Sequence, residues 1–248
     1  MTRTFRLIID PPRAATLNMA VDETLMLSQG EGGAPVLRFY GWEAPSVTTG
    51  YFQDIERVAE KFNAEKKGVP VVRRLSGGGA VLHGEDLTFS LCLPLPSPYF
   101  PSDVKSSYLK INEAVRLGLQ AVYPEMDYAD CRQPAGRQGT VPSAKSQSRE
   151  KACFEVPVCY DLLRRGKKVL GASQRRIEKS LLHQAALFLE RDREFLTARI
   201  LEGFEKAWKV TFEEAPLTAG ELRRAREIEE KRYSSPEWAL FRDLSFLS

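Results

Sequence analysis

The sequence lacks any apolar stretch of about 20 residues, the length that a membrane-spanning helix needs. It also lacks, at its N-terminus (MTRTFRLII), the long apolar core of a secretory signal. Neither sign of charge dominates, because 36 Lys and Arg residues against 33 Asp and Glu residues leave a net charge of +3. So balanced a composition does not indicate nucleic-acid binding. These absences favour a cytoplasmic globular protein with no membrane and no nucleic-acid partner.

The four cysteines show no paired metal-ligand spacing. They are Cys92, Cys131, Cys153 and Cys159. We therefore expect no metal site and, in a reducing compartment, thiols that are available for chemistry. A Walker phosphate loop is also excluded, because no Gly-Lys-Ser/Thr follows the glycine run of the sequence.

The stretch from residue 151 to residue 176 contains a cysteine followed by a predicted hairpin. Residues 164–166 (RRG) form the predicted turn, and a second strand is predicted from Lys168. A hairpin brings Cys153 and Lys168 near one another, and an ammonium beside a thiolate favours attack on an activated acyl group. The alternative at this point is a buried small cysteine and a solvated turn lysine.

Three consecutive glycines lie between two predicted strands, within residues 73–83 (RRLSGGGAVLH). Because glycines in this position lower stability through backbone entropy, we expect a ligand to lie against the bare backbone. Arg73 or Arg74 would offer positive charge there. His83 is interpreted as polar lining, an acid/base group or a hydrogen-bonded core residue.

The remaining chain alternates short strands with amphipathic helices. Thr16 is the predicted cap of a helix over residues 17–26, in which Asn18, Asp22 and Glu23 either line a site or form a solvated first turn. A strand over 35–42 is predicted to pair with its neighbour over 46–51. Further predictions are an Asp54 helix cap, a helix starting at Ser106 or Ser107, a strand over 180–189, a helix around 195–208 and a capping box at residues 218–221 (TAGE).

One segment differs from this alternation of strands and helices. Residues 131–151 are rich in polar residues, Gly, Pro and Ser, and they are interpreted as a lid beside Cys153 or as an insertion without a role.

Residues 1–190 are predicted to form the catalytic domain, and residues 191–248 are predicted to form a helical C-terminal extension packed on it.

Five stretches together resemble the lipoate–protein ligase and octanoyltransferase family, whose catalytic domain is related to biotin–protein ligases. They are residues 18–23 (NMAVDE), 39–42 (FYGW), 50–53 (GYFQ), 73–83 (RRLSGGGAVLH) and 166–171 (GKKVLG). They occur in family order and cover residues 15–190. The fold that the resemblance implies is α+β, with a central mixed, largely antiparallel sheet flanked by helices.

The resemblance also implies a site. Lys168 falls on the family's active-site lysine, and the pattern from Cys153 to Leu162 looks like the cysteine-dependent octanoyltransferases, in which the cysteine carries the acyl group. The substrate-binding residues implied are Arg73, Ser76, Gly77, Gly78, Gly79, His83, Gly171 and Ala172. No cofactor is implied. The implied partners are octanoyl-acyl carrier protein and a lipoyl-accepting protein, either the glycine cleavage H-protein or a 2-oxoacid dehydrogenase lipoyl domain.

Two departures from the family pattern stand out. His183-Gln184-Ala185 replaces the usual His-Gly after the second strand, and Cys159 stands where serine is common, which leaves a second candidate thiol. The rival functions are an ATP-dependent lipoate ligase, an octanoyl amidotransferase acting between lipoyl-accepting proteins, and a non-catalytic protein that binds acyl carriers.

Overall fold

The computed structural model describes residues 3–130 and 157–241 of the 248-residue chain. In this part of the chain, eleven strands form two sheets. The strands are β1 Arg3–Ile9, β2 Val36–Tyr40, β3 Ser46–Thr49, β4 Val71–Arg73, β5 Val81–His83, β6 Leu87–Pro94, β7 Met126–Tyr128, β8 Leu162–Arg164, β9 Lys167–Ile177, β10 Ser180–Leu187 and β11 Val210–Glu214. The helices are α1 Ala15–Gly30, α2 Ile55–Phe62, α3 Ala64–Lys67, α4 Val104–Gln120, α5 Arg193–Trp208, α6 Ala219–Ile228 and α7 Pro236–Phe241, with a π-helical turn at Glu229–Tyr233.

The larger sheet has the strand order β11-β1-β2-β6-β10-β9-β8-β7 over the described ranges. β11, β1 and β2 run parallel to one another, and every later neighbour in this order is antiparallel. Helices flank this sheet on both faces. The predicted α+β fold, with a mixed and largely antiparallel sheet, is confirmed.

Alternation along the strands explains the layers. On β6, the apolar side chains of Leu87, Phe89, Leu91 and Leu93 belong to the core that includes residues of α4 and α5. The intervening Ser90 and Cys92 contact α1 on the opposite face through Asp22. Because successive strand residues point to opposite faces, one strand serves two different layers.

The smaller sheet, with order β4-β3-β5, packs on the α1 side of the molecule. β3 pairs in parallel with β4 and antiparallel with β5. The predicted pairing of β3 with β2 is therefore wrong, because β2 pairs with β1 and β6. An apolar pattern marks a strand but does not name its partner.

Helix ends agree with the predictions at two of three caps. Asp54 accepts hydrogen bonds from the first turn of α2, and Thr218 and Glu221 form the capping box of α6. The Thr16 cap is wrong, because α1 begins at Ala15 and Thr16 Oγ1 instead donates to Glu229 Oε1 at 2.6 Å.

The chain beyond residue 190 joins the body of the molecule in three ways. α5 packs along α4, and β11 extends the larger sheet beside β1. Trp238 on α7 donates from Nε1 to the main-chain oxygen of Arg73 at 3.0 Å. The domain division near residue 190 stays a prediction. None of the helices in the described ranges has the length and apolar character to cross a membrane.

Candidate active site

The predicted hairpin forms from β8 and β9. Arg165 and Gly166 make its two-residue turn, both with positive φ, which is the geometry favoured for tight hairpins. Arg164 pairs with Lys167, and Leu163 pairs with Lys168. The side chain of Lys168 is only 2% exposed, whereas Lys167 is exposed to solvent. Of the two lysines, Lys168 therefore points inward, as the alternation predicted.

Lys168 is paired with a buried carboxylate. Its Nζ lies 2.6 Å from Oδ2 of Asp161, which is fully buried. The hydroxyl of Tyr108, on α4, donates to Oδ1 of Asp161 at 2.6 Å and also contacts the main chain of Ala172. Helix α4 and the hairpin thus hold the lysine between them.

The glycine-rich loop follows β4 and is held by Arg74. Its Nη2 donates to the carbonyls of Gly77 at 2.6 Å and Gly79 at 2.8 Å. Gly78, between them, has φ +85°, a conformation that L side chains rarely adopt. Gly50 allows close approach from the other side, because a Cβ there would lie 2.0 Å from Gly78 O. The loop therefore presents backbone, not side chains, to its surroundings.

A pocket lies between the two sheets beside this loop. Its empty volume is about 340 Å³, a figure that includes space open to solvent. The lining residues are Met19, Tyr40, Trp42, Thr48, Arg74, Val81, His83, Thr88, Gly171, Ala172, Ser173, Gln184, Ala185 and Ala186. We call this space the central pocket.

His83 forms part of the pocket wall and is fully engaged. Its ring stacks on Trp42 with centroids 4.0 Å apart, Nε2 lies 2.9 Å from Thr48 Oγ1, and Nδ1 lies 2.9 Å from Asp86 Oδ2. Trp42 Nε1 in turn donates to Thr88 Oγ1 at 2.9 Å. This geometry favours a lining role for His83 over acid/base work.

Of the other residues that the resemblance implied, Arg73 lies apart from the central pocket. Its guanidinium donates to main-chain carbonyls, including those of Gln53 at 2.7 Å and Ala239 at 2.7 Å. Ser76 is buried. Its hydroxyl accepts a hydrogen bond from the hydroxyl of Ser173 and donates one to the side-chain amide oxygen of Gln184. The structure therefore brings Arg74, rather than Arg73, to the pocket.

The polar residues of α1 form an internal network. Asp22 is fully buried and accepts hydrogen bonds from Arg38, Tyr40, Ser90 and Gln184. Burial and the neighbouring Asp22 raise the pKa of Tyr40 well above its usual range, so the phenol stays a donor. The expectation of a solvated turn is wrong.

Asn18 and Glu23 are buried as well. Asn18 accepts from Arg38, and Glu23 pairs with Arg232 and Tyr233 near the C-terminal end. Burial raises the pKa of Glu23 against the opposing effect of these partners. Their partners lie far along the chain, which explains why local sequence suggested solvent exposure.

The structure describes two of the four cysteines, Cys92 and Cys159. Cys153 and Cys131 lie outside the described residues, as does the 131–151 loop. Burial and Asp22 raise the pKa of the free Cys92 thiol well above its usual value, so Cys92 is not a nucleophile. Cys159 is disulfide-bonded and does not present a free thiol in this structure.

Sequence reasoning missed Asp161 and Tyr108. Asp161 stands seven positions before Lys168 and two positions before Leu163, which is the residue paired with Lys168 across the hairpin. That spacing across a tight turn was a usable signal for Asp161. Tyr108, by contrast, reads only as an apolar helix residue.

Comparison with known proteins gives a consistent result. The lipoyl protein ligase A/B catalytic domain model matches residues 14–216. Octanoyltransferase LipM of Carboxydothermus hydrogenoformans is 33% identical over 91% of this chain and 94% of its own length. Octanoyltransferase LipM of Staphylococcus aureus is 29% identical over 96% of this chain and 99% of its own length.

Solved structures share the fold. Lipoate-protein ligase A bound with ATP superposes with a TM-score of 0.72 at 25% identity, covering 96% of this chain and 98% of that one. A bipartite lipoate protein ligase of Thermoplasma acidophilum, studied with its E2 lipoyl domain, gives a TM-score of 0.74 at 24% identity, covering 98% and 99%.

Proposed function

Because this chain belongs to the lipoyl protein ligase A/B catalytic-domain family, its activity is octanoyl transfer in protein lipoylation, and we propose the donor, acceptor and residues of that reaction. The donor is octanoyl-acyl carrier protein. The acceptor is a lysine of a lipoyl-accepting protein, either the glycine cleavage H-protein or a 2-oxoacid dehydrogenase lipoyl domain. The reaction takes place in the cytoplasm.

One observation carries the proposal: the buried Lys168 side chain projects from β9, the strand whose residues 171–173 line the central pocket. The pocket offers Met19, Val81, Ala185 and Ala186 to an apolar chain, with the glycine-rich loop alongside. An octanoyl chain in this space would present its carbonyl near the Ala172 end. That arrangement suits an acyl group delivered by a carrier.

The reaction has two steps in this proposal. The Cys153 thiolate attacks the thioester carbonyl of the donor, the carrier thiol leaves with a proton, and an acyl-Cys153 thioester remains. The amine of the acceptor lysine then attacks this thioester, forming the amide and releasing the Cys153 thiol. Lys168 orients the carbonyl and stabilises the oxyanion in both steps.

This route needs no nucleotide, because a thioester passes to a thioester and then downhill to an amide. The ATP-dependent ligase remains the rival, since a solved structure with the same fold is bound with ATP. A ligase must first make a free acid electrophilic, whereas a transferase receives its acyl group already activated. An octanoyl amidotransferase is the second rival, because it would also use a cysteine.

The test compares three donors under reducing conditions, which keep Cys159 as a thiol. Enzyme and apo-acceptor are incubated with octanoyl-carrier alone, with octanoate or lipoate plus ATP and magnesium, and with an octanoylated lipoyl-accepting protein. Modification of the acceptor is measured by intact mass. We expect it with octanoyl-carrier alone. Modification that requires ATP supports the ligase, and modification only from the octanoylated protein supports the amidotransferase.

The nucleophile is tested by mass as well. Cys153→Ser should lose both transfer and the hydroxylamine-labile adduct, while Cys159→Ser should keep both. An adduct that persists in Cys153→Ser and vanishes in Cys159→Ser would move the nucleophile to Cys159.

A further inference from the structure

A single buried carboxylate gathers three donors beside the proposed oxyanion site. Oδ2 of Asp161 accepts from Nζ of Lys168 at 2.6 Å and from the main-chain nitrogen of Val158 at 2.7 Å, and Oδ1 accepts from the hydroxyl of Tyr108 at 2.6 Å. The main-chain oxygen of Asp161 accepts from the nitrogen of Ala129 at 2.9 Å. Both ends of this residue are therefore held in place.

Tyr108 connects this carboxylate to the wall of the central pocket. A phenol has one proton to donate, and the 2.6 Å contact with Asp161 takes it. The same oxygen accepts from the main-chain nitrogen of Ala172, 3.2 Å away. Ala172 lines the pocket, so a continuous hydrogen-bonded path runs from Lys168 to the pocket wall.

Fold stability does not by itself explain a buried lysine–carboxylate pair. Desolvation of the two charges offsets much of their attraction, and apolar residues of similar volume often serve stability as well. What the pair provides is position: a lysine has a long flexible stem, and its ammonium has one location only when neighbouring groups fix it.

We propose that Asp161 is the positioning residue of the active site, fixing the ammonium of Lys168 at the Ala172 end of the central pocket, and that Tyr108 anchors this carboxylate to the pocket wall. The inference rests on the proposed role of Lys168 in octanoyl transfer. Asp161 itself acts through the lysine and does not touch the reacting carbonyl.

The decisive variant is Asp161→Asn, which keeps the size and an acceptor oxygen but removes the charge facing Lys168. We expect kcat to fall about 10²-fold, as for a reacting group displaced by about 1 Å, with the KM for acceptor and for octanoyl-carrier changed less than about threefold. Tyr108→Phe leaves the Asp161–Lys168 pair but removes its anchor, and we expect about a tenfold fall in kcat.

Two controls separate positioning from folding. Tyr123→Phe alters a buried tyrosine of the same core, just beyond α4, and should leave kcat within about twofold. Asp161→Asn and Tyr108→Phe are also introduced into Lys168→Ala, where each should lower kcat by less than about threefold, because the residue to be positioned is already gone. All rates are expressed per folded molecule, from circular dichroism at the assay temperature.

The outcomes separate the positioning role of Asp161 from the proposed role of Lys168 in octanoyl transfer. If Lys168→Ala loses activity while Asp161→Asn and Tyr108→Phe retain it, the positioning role is overturned and the proposed role of Lys168 stands. Equal losses in the presence and absence of Lys168 also overturn it, because they indicate a structural effect alone. If Lys168→Ala itself keeps the wild-type rate, the proposed role of Lys168 fails and the inference fails with it. If Asp161→Asn does not fold, the effect of Tyr108→Phe on kcat, measured with Lys168 present and with Lys168→Ala, decides between these outcomes.

Discussion

Oγ of Ser76 donates a 2.6 Å hydrogen bond to Oε1 of Gln184, which lies 108 positions further along the chain. The other end of the same amide, Nε2, donates to Oδ2 of Asp22 at 2.8 Å. Ser173 Oγ donates to Ser76 Oγ at 2.8 Å and extends the connection to β9. Gln184 thus ties the glycine-rich loop to helix α1, at the position where the sequence departs from the family's His-Gly pattern.

Gln184→Met should weaken this tie while keeping most of the side-chain volume. Asp22 and Ser76 each lose a buried partner, so we expect the free energy of unfolding in urea to fall by about 2 kcal/mol. Because Gln184 also lines the central pocket, the KM for octanoyl-carrier should rise. Ser173→Ala is the matched control: it removes only the last hydrogen bond, and about 0.5–1 kcal/mol is expected. Equal losses in both variants would contradict a linking role for Gln184.

The neighbouring glycines Gly77 and Gly78 provide a matched pair. Gly78 has φ +85°, and a Cβ there would lie 3.2 Å from Nη2 of Arg74 and 3.6 Å from Cβ of Ser173, whereas a Cβ at Gly77 would meet no heavy atom within 4 Å. Gly78→Ala should therefore lower the free energy of unfolding by about 1–2 kcal/mol and raise the KM for octanoyl-carrier.

Gly77→Ala should change neither quantity by more than experimental error. The bulkier Gly78→Val should impair acylation further while leaving much of the fold intact. If Gly78→Val unfolds the whole protein, the loop serves backbone geometry alone and not a ligand.

Local signals predicted the parts of the fold that short stretches determine. The turn at Arg165 and Gly166, the Asp54 cap and the Thr218 capping box depend on residues within a few positions of one another. The inward direction of Lys168 followed from strand alternation alone.

Contacts between distant positions were not accessible in this way. Arg38 and Asp22 are 16 positions apart, and Glu23 meets Arg232 across 209 positions, so their polar character suggested solvent instead of burial. The same limit explains the choice between Arg73 and Arg74. Adjacent arginines are equivalent in the sequence, and only the packing of α7 against Arg73 shows that this side chain is committed to main-chain carbonyls.

His183 leads to a prediction about pH. It is fully buried on β10, its Nδ1 lies 3.1 Å from Nε2 of Gln174, and its Nε2 has no hydrogen-bond partner among the described residues. Burial lowers the pKa of His183 from 6.5 to about 3. The native state therefore holds this ring neutral at pH values where the unfolded chain binds a proton.

The sign follows from this difference in protonation. The folded pKa lies below the unfolded value, so the contribution of His183 to stability is complete above pH 6.5 and declines as the pH falls towards 3. Between pH 7.5 and pH 5, this residue alone should lower the free energy of unfolding by about 2 kcal/mol. Urea unfolding across this range measures the effect, with His183→Gln as the variant that cannot titrate. The chain has only two histidines, so His83→Gln is the matched control. The slope of the free energy of unfolding against pH should differ between wild type and His183→Gln, and this difference should persist when both carry His83→Gln. Parallel curves for wild type and His183→Gln would show that His183 is not held neutral by burial.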